Sequence, residues 1–118
     1  MMLLCFCALL IVLFYIMNPL RQPSKLIRWR LLKQTPIGTT MEEVLAVIER
    51  NHDWKLWNVN EMHGYYAGAN EERVGEKSIS IILGEYSRIY TISVSADWGF
   101  DADGNLIDIH VWKEGDLP

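Results

Sequence analysis

The side chains in this sequence that could do chemistry are concentrated near its end. Three oxygen-bearing side chains alternate around Gly104: Asp101, Asp103 and Asn105. Such spacing is typical of a calcium loop, but a loop with Gly104 at its sixth position would run from Gly99 to His110, where an oxygen ligand and a glutamate are required. A hairpin turn over residues 101–104, closed by Gly104 in the left-handed conformation, fits better. We predict a turn here and no metal site.

The segments on either side of this turn alternate between apolar and polar residues. Burying the apolar set fixes the predicted register, in which Trp98 faces Ile107. The same register pairs Ala96 with Ile109 and Val94 with Val111. On the opposite face Asp97 lies across from Asp108. Like charges in this position are destabilising, so a Lys or Arg side chain, a cation or a basic partner is expected to compensate.

The polar face of these two strands is the predicted binding surface. Its residues are Asp97, Asp108, His110 and Trp112. Trp112 falls opposite Ser93 in the predicted register, and an exposed tryptophan beside acidic residues is typical of an interaction surface. Two alternatives stay open: a solvated face whose charges are screened by water and salt, and an enzyme that uses His110 with Asp97 or Asp108.

The rest of the sequence favours binding over catalysis. His52 and His63 match no zinc spacing, and the chain has no nucleophile elbow, phosphate-binding loop or dinucleotide fingerprint. A small domain with one helix and a small sheet also offers little concavity for a substrate. We therefore predict no catalytic residues, no metal and no cofactor.

One helix is strongly indicated. Thr40 followed by Glu43 forms a capping box, which marks a helix start. Apolar residues then recur at helical spacing: Met41, Val44, Leu45 and Ile48. The pattern predicts an amphipathic helix over residues 41–50, too short to be stable unless it packs on another element.

A sheet is the element on which this helix is expected to pack. Period-two alternation from Ser78 onward predicts antiparallel strands with one face open to solvent. Weaker strand patterns occur at residues 53–61 and 63–68, and residues 68–77 are predicted to be a polar loop. Val94 and Val111 are expected to face the helix.

The first 17 residues form an apolar run with no charged side chain. At about 1.5 Å per residue, a helix of this length spans roughly 25 Å, the short end of what crosses a bilayer. No Lys or Arg precedes the run and no small-residue cleavage site follows it. An uncleaved anchor is therefore favoured over a cleaved signal peptide or a buried core helix.

Charge divides the chain in the same way. Residues 1–33 contain five Lys and Arg and no acid, whereas residues 34–118 contain six Lys and Arg and fifteen Asp and Glu. The basic segment is expected to lie against lipid headgroups. Its predicted membrane-interface residues are Arg21, Lys25, Arg28, Trp29, Arg30 and Lys33. The acidic domain argues against nucleic-acid binding.

Two segments carry a resemblance to a known family. Gly38, Thr40 and Val44 in "IGTTMEEVLAVIE", with Phe100, Gly104 and Leu106 in "WGFDADGNLIDI", are the matching positions. They resemble the family of the small lipoprotein of the bacterial outer-membrane β-barrel assembly machinery, which is similar to β-lactamase-inhibitory proteins. The resemblance implies a helix packed on an antiparallel sheet and a bias toward protein–protein binding. The chain also resembles short bacterial membrane proteins that have no assigned activity.

Together these observations predict an α+β protein with an N-terminal transmembrane helix and one amphipathic helix packed on an antiparallel β-meander. The predicted divisions are a transmembrane anchor at 1–18, a basic juxtamembrane linker at 19–36 and an acidic α+β domain at 37–118. We predict a single-pass protein of the cell membrane, with its domain in the cytoplasm by the positive-inside rule or otherwise outside it. Its predicted partners are the lipid bilayer and a protein, and the alternative function is to neutralise a basic partner as an immunity or inhibitor protein.

Overall fold

The computed structural model describes residues 5–9, 18–67, 72–87, 89 and 91–115. Its helices are a 3₁₀ turn (Pro19–Arg21), α1 (Ser24–Gln34) and α2 (Met41–Arg50). Its strands are β1 (Lys55–Asn60), β2 (Tyr65–Ala67), β3 (Glu72–Val74), β4 (Lys77–Ser87), β5 (Thr91–Phe100) and β6 (Leu106–Gly115). The protein is α+β, with a four-stranded antiparallel sheet in the order β1-β4-β5-β6 and a separate β2–β3 hairpin.

Helix α2 confirms the prediction from the capping box. It spans Met41–Arg50, and the Thr40 side chain accepts a hydrogen bond from the Glu43 backbone N–H at 3.2 Å. Its apolar stripe buries Val44 and Ile48 in the same core as Val94 and Val111 of the sheet. The expected packing of the helix on the apolar face of the sheet is confirmed.

The predicted turn between β5 and β6 forms around Gly104, but it is one residue shorter than predicted, because the Asp101 N–H donates to the Asn105 carbonyl at 2.9 Å and Phe100 faces Leu106. Gly104 has φ 85°, and its N–H donates to the Asp101 carbonyl at 3.0 Å. The Asp101 carboxylate accepts the backbone N–H groups of Asp103 and Asn105. This side chain therefore closes the turn, as short acidic side chains commonly do.

The register beyond the turn differs from the prediction by two residues. Trp98 faces Ile109, and Asp97 faces His110 and not Asp108. One residue of the difference arises at the turn, where Phe100 faces Leu106 and not Asn105. The other comes from a β-bulge, because the register shifts between Gly99 and Phe100 and leaves Ile107 as an extra residue in β6. Leu106 is consequently buried in place of Ile107, which is 42% exposed.

The predicted basic linker is an α-helix. Helix α1 buries Ile27 and Leu31, which are one turn apart, against the apolar core. Other apolar residues of the helix are exposed, including Leu26 and Trp29. The buried stripe of α1 therefore consists of a single row of side chains. Such a narrow stripe does not give the recurring apolar pattern by which an amphipathic helix is recognised in a sequence.

The predicted polar loop at 68–77 is also partly wrong. Glu72–Val74 forms β3, which pairs antiparallel with β2. Both strands are only three residues long, which is too short for an alternation of apolar and polar residues to be recognised in the sequence. Residues 68–71 between them lie outside the described residues.

The predicted transmembrane helix, and with it the single-pass location, is not supported. No helix in the described ranges is both long enough and apolar enough to cross a bilayer. Within the apolar run, the structure describes residues 5–9, which are helical. The rest of the run lies outside the described residues. The protein also has two packed helices, where the sequence predicted one after the anchor.

Several of the predicted membrane-interface residues make contacts within the described part of the chain. Arg28 and Arg21 turn toward the sheet: Arg28 contacts β6, and Arg21 donates to the Ser87 carbonyl at 2.9 Å. Lys33 lies 3.6 Å from the ring centroid of Trp29, within the same helix. Lys25 and Arg30 are exposed. Arg21 and Arg28 thus contact the sheet, and the role of these residues at a membrane stays a prediction.

Candidate functional site

A row of four polar residues crosses the sheet on the face opposite the helices. Asn58 pairs with Ser80, Ser80 with Asp97, and Asp97 with His110, so the row has one residue from each strand. Neighbouring side chains in such a row lie about 5 Å apart, close enough to interact. The row brings together residues that are far apart in the sequence.

The β2–β3 hairpin covers one end of this polar face. Tyr65 of β2 is buried, and its ring stacks on His110 with the ring centroids 6.0 Å apart. Gly99 makes this approach possible, because a Cβ at that position would come within 2.8 Å of the Tyr65 ring. The segment that leads into β2 is held against the sheet by the Ser78 hydroxyl, which donates to the His63 carbonyl at 3.0 Å.

Asp97 is the most enclosed acidic side chain of the row. It is 7% exposed. One carboxylate oxygen accepts from the Ser80 hydroxyl at 2.5 Å, and the other accepts from the indole N–H of Trp112 at 2.9 Å. Hydrogen bonds of this kind offset part of the cost of burying a carboxylate.

A cavity of about 260 Å³ opens above Asp97. Its walls come from β1, β4, β5 and the segment that leads into the β2–β3 hairpin. The lining residues are Asn58, Asn60, His63, Gly64, Tyr65, Tyr66, Ser78, Ser80 and Asp97. The cavity therefore combines one carboxylate with hydroxyl, amide and aromatic groups.

The structure brings together three of the four residues predicted to bind. Asp97 faces His110, and Trp112 donates to Asp97. Trp112 is half-buried and so is not the exposed tryptophan that the sequence predicted. Of these three residues only Asp97 lines the cavity. His110 and Trp112 belong to β6, which contributes no residue to the lining.

Asp108 belongs to a different contact. Its carboxylate forms an ion pair with Arg28 at 2.6 Å, with both side chains 43% exposed. Arg28 also donates to the Ile109 carbonyl at 2.8 Å. Arg28 thus compensates the charge of Asp108. Compensation by a Lys or Arg side chain was predicted for Asp97 and Asp108 facing each other, whereas in the structure Asp97 faces His110.

The surroundings of Tyr65 change the pKa of its phenol. Burial raises the pKa of its phenol well above the usual value near 10, and the negative charges of Asp108 and Asp97 raise it further, whereas Arg28 lowers it. The phenol therefore stays protonated and neutral well into the alkaline range. Among the described side chains, His110 donates no hydrogen bond to Asp97 or Asp108.

The two edges of the sheet are very different. Along β6, the backbone of residues 38–41 pairs with the start of the strand, Arg28 binds the Ile109 carbonyl, and Lys113 donates to the Gln22 carbonyl at 2.7 Å. In the part of the chain that is described, β1 pairs only with β4. Covering an edge prevents pairing with other chains, and β1 lacks such a cover.

Apolar side chains are exposed along and beside this open edge. We define the β1 surface as these residues: Leu56 (49% exposed), Trp57 (66%), Val59 (39%), Met62 (78%) and Tyr66 (58%). They surround the edge from both sides of the sheet, since Leu56 lies on the α2 side near Leu45, whereas Tyr66 lines the cavity above Asp97 on the polar side. Trp57 is the extra residue of a bulge in β1, between Leu56 and Asn58. A bulge re-aims a side chain out of the regular alternation of a strand.

Sequence reasoning missed most of this region. The strand pattern at 53–61 was weak, and nothing in it indicated that β1 would be an edge. The one available signal is the density of aromatic residues from Trp54 to Tyr66, a composition with which small domains also fill thin cores. Tyr65 does fill space in that way, whereas Trp57 and Tyr66 are exposed.

Within the described ranges, no group of three or more His, Cys, Asp or Glu side chains is arranged to hold a metal ion. No family model, curated protein or solved structure matches the chain. The resemblance to the small assembly lipoprotein therefore stays a prediction from two motifs. Function has to be argued from the cavity and the two edges of the sheet.

Proposed function

We propose that the protein is a binding module that docks a protein partner on the β1 surface. The observation that carries the proposal is the contrast between the two edges of one sheet. Residues 38–41 cover the start of the β6 edge and Arg28 covers the Ile109 carbonyl, whereas β1, among the described residues, pairs only with β4 and exposes a tryptophan. Exposed apolar side chains grouped on an open strand favour protein contact.

The composition of the β1 surface supports a protein partner in particular. Trp, Tyr and Met are enriched in interfaces, and tryptophan supplies much of the binding energy where it occurs. Trp57, Met62 and Tyr66 provide one of each within ten residues. The open edge also offers backbone N–H and C=O groups that an extended segment of the partner can pair with.

Site-specific crosslinking tests this function. A photoreactive phenylalanine analogue at position 57 of the full chain is expected to crosslink one protein in the cells that produce it. Ile37 provides the matched control position, because it is 58% exposed and lies by the β6 edge, where the next residue, Gly38, donates to the Leu106 carbonyl. Equal crosslinking to the same proteins from positions 57 and 37 would contradict the proposal.

The charge of residues 34–118 favours a basic partner, the alternative function in which the chain neutralises it. Attraction between opposite charges raises the association rate and is screened by salt. If the partner is basic, its association rate is expected to fall as salt rises from 50 to 500 mM, on the order of tenfold. The association rate at each salt concentration is measured by stopped-flow or surface-based kinetics, with the purified protein that the crosslinking identifies.

A further inference from the structure

We propose that the cavity above Asp97 is a binding site for a guanidinium or ammonium group. The group comes either from a small organic cation or from an Arg or Lys side chain of another protein. The inference goes beyond the β1 surface and does not depend on it, because it rests on the charge and the lining of the cavity.

The charge of the cavity is the first argument. Asp97 is 7% exposed, and its two recorded hydrogen-bond donors, Ser80 and Trp112, are both neutral. Among the described residues no Lys or Arg forms an ion pair with Asp97: Arg28 pairs with Asp108, and Arg73, at the edge of the cavity, donates to the Tyr66 hydroxyl at 2.9 Å. His110 faces Asp97 across the strands without a hydrogen bond to it. A buried carboxylate without a counter-ion is costly, so a cation that enters the cavity is stabilised there.

The lining provides the second argument. A guanidinium group has five N–H donors and no acceptor, and it therefore needs several oxygen atoms around it. The cavity offers the Asp97 carboxylate, the hydroxyl of Ser80 and the side-chain amide of Asn58. Tyr65 and Tyr66 add aromatic rings, and the Arg73 guanidinium, which lies 5.4 Å from the centroid of the Tyr66 ring, shows that a cation is accommodated beside them. One face of the Tyr65 ring is occupied by its stacking on His110.

The size of the cavity limits the ligand. A volume of about 260 Å³ exceeds that of several water molecules, at roughly 30 Å³ each, and falls just below the range typical of drug-sized ligands. A single cationic head group with a short alkyl chain fits this description. A nucleotide or other polyanion does not, because Asp97 would repel it.

Titration of the full-length protein with butylguanidinium at pH 7, followed by amide NMR shifts, tests the proposal. We expect saturable shifts centred on Ser80, Asp97 and Tyr65. Butylurea is the matched neutral control, since it has nearly the same shape without the charge, and it is expected to give no saturable shifts. Equal responses to both compounds, or no saturable response to butylguanidinium, would overturn the proposal.

The Asp97→Asn variant separates charge from shape. The amide oxygen can still accept from the Trp112 indole, and the Ser80 hydroxyl can turn to accept from the amide NH₂, so the hydrogen bonds are kept. We expect affinity for butylguanidinium to fall at least about tenfold. Asp103→Asn removes the same charge from the exposed turn and is expected to bind like the parent protein.

A second variant keeps the test decisive if Asp97→Asn unfolds. Asn58 is exposed at the mouth of the cavity, and Asn58→Lys supplies an internal cation that should abolish binding of butylguanidinium. Unchanged binding in Asn58→Lys would contradict the proposal. A blocked Gly-Arg-Gly peptide distinguishes the two sources: binding as tight as that of butylguanidinium indicates a protein side chain, and selective binding of butylguanidinium indicates a small molecule.

Discussion

At the residue scale, the core of this protein is organised by one polar contact as well as by apolar packing. Trp98 is completely buried, and its indole N–H donates to the hydroxyl of Thr35 at 3.0 Å. Thr35 is itself 1% exposed and donates to the Leu31 carbonyl at the end of α1. This chain of hydrogen bonds fixes the end of α1 over the centre of the sheet, because a buried donor without a partner is costly.

Replacing Thr35 with valine tests this contact. The change keeps the shape of the side chain but leaves the Trp98 indole N–H without an acceptor. We expect the free energy of unfolding to fall by about 1–3 kcal/mol, measured by urea denaturation. Thr39→Val is the control, because the Thr39 hydroxyl makes only an exposed local bond to the Pro36 carbonyl, and a comparable loss there would contradict the explanation.

The buried phenol of Tyr65 makes stability depend on alkaline pH. Its pKa is raised in the folded protein, so above about pH 10 the unfolded chain loses this proton while the folded protein keeps it. The unfolded state is then favoured as pH rises, with a slope of at most about 1.4 kcal/mol per pH unit from this group. Below pH 10 the full contribution of the neutral phenol is present.

Tyr65→Phe is therefore expected to flatten the alkaline loss of stability. Between about pH 10 and pH 11, the variant should lose less of its unfolding free energy than the parent protein, measured by urea denaturation at each pH. Tyr66→Phe, on the exposed side of the same strand, controls for the removal of a hydroxyl group. Parallel curves for Tyr65→Phe and the parent would show that Tyr65 is not buried against Asp97 and Asp108.

At the element scale, bulges decide which side chains face the core and which face outward. One bulge in β6 exposes Ile107 and moves His110 opposite Asp97. Another bulge in β1 leaves Trp57 outside the regular alternation. Each bulge adds one residue to one strand. The residues that follow the bulge then point to the opposite face of the sheet from the one that a regular strand would give them.

Alanine substitutions at two neighbouring positions distinguish the observed register from the predicted one. Leu106 is 1% exposed, so Leu106→Ala is expected to cost about 2–5 kcal/mol of stability. Ile107 is exposed, and Ile107→Ala is expected to cost less than about 1 kcal/mol. Chemical denaturation of both variants measures the difference, and the opposite order would support the register without a bulge.

The elements that the sequence predicted well are those with strong local signals. The capping box at Thr40 and the four apolar positions after it defined α2, and Gly104 marked the turn. Helix α1 was missed because only Ile27 and Leu31 of its apolar residues are buried. The bulges were missed because an extra residue leaves no mark in a period-two pattern until the partner strand is known.

At the scale of the whole molecule, the candidate site could be predicted only in part. Asp97, His110 and Trp112 lie in consecutive strands, so a turn and a period-two pattern were enough to group them. Asn58, Ser80 and Tyr65 complete the cavity from three other elements. Their proximity depends on strand order, which puts β1 beside β4 after an intervening hairpin, and local pattern contains no information about that order.

The two edges of the sheet differ across the whole molecule. Residues 38–41 and Arg28 of α1 cover part of the β6 edge, whereas in the described part of the chain β1 has no second strand beside it. This asymmetry leaves the β1 surface for contact with another protein. Trp57 is the residue on which that contact should depend most.

The most direct test is the affinity of the protein captured from position 57 for three purified forms of this chain. The dissociation constants for the parent, Trp57→Ala and Ile37→Ala are measured by isothermal titration calorimetry. We expect Trp57→Ala to bind at least about tenfold more weakly and Ile37→Ala to bind like the parent. Equal affinity of Trp57→Ala and the parent would contradict the assignment of the open β1 edge as the docking surface.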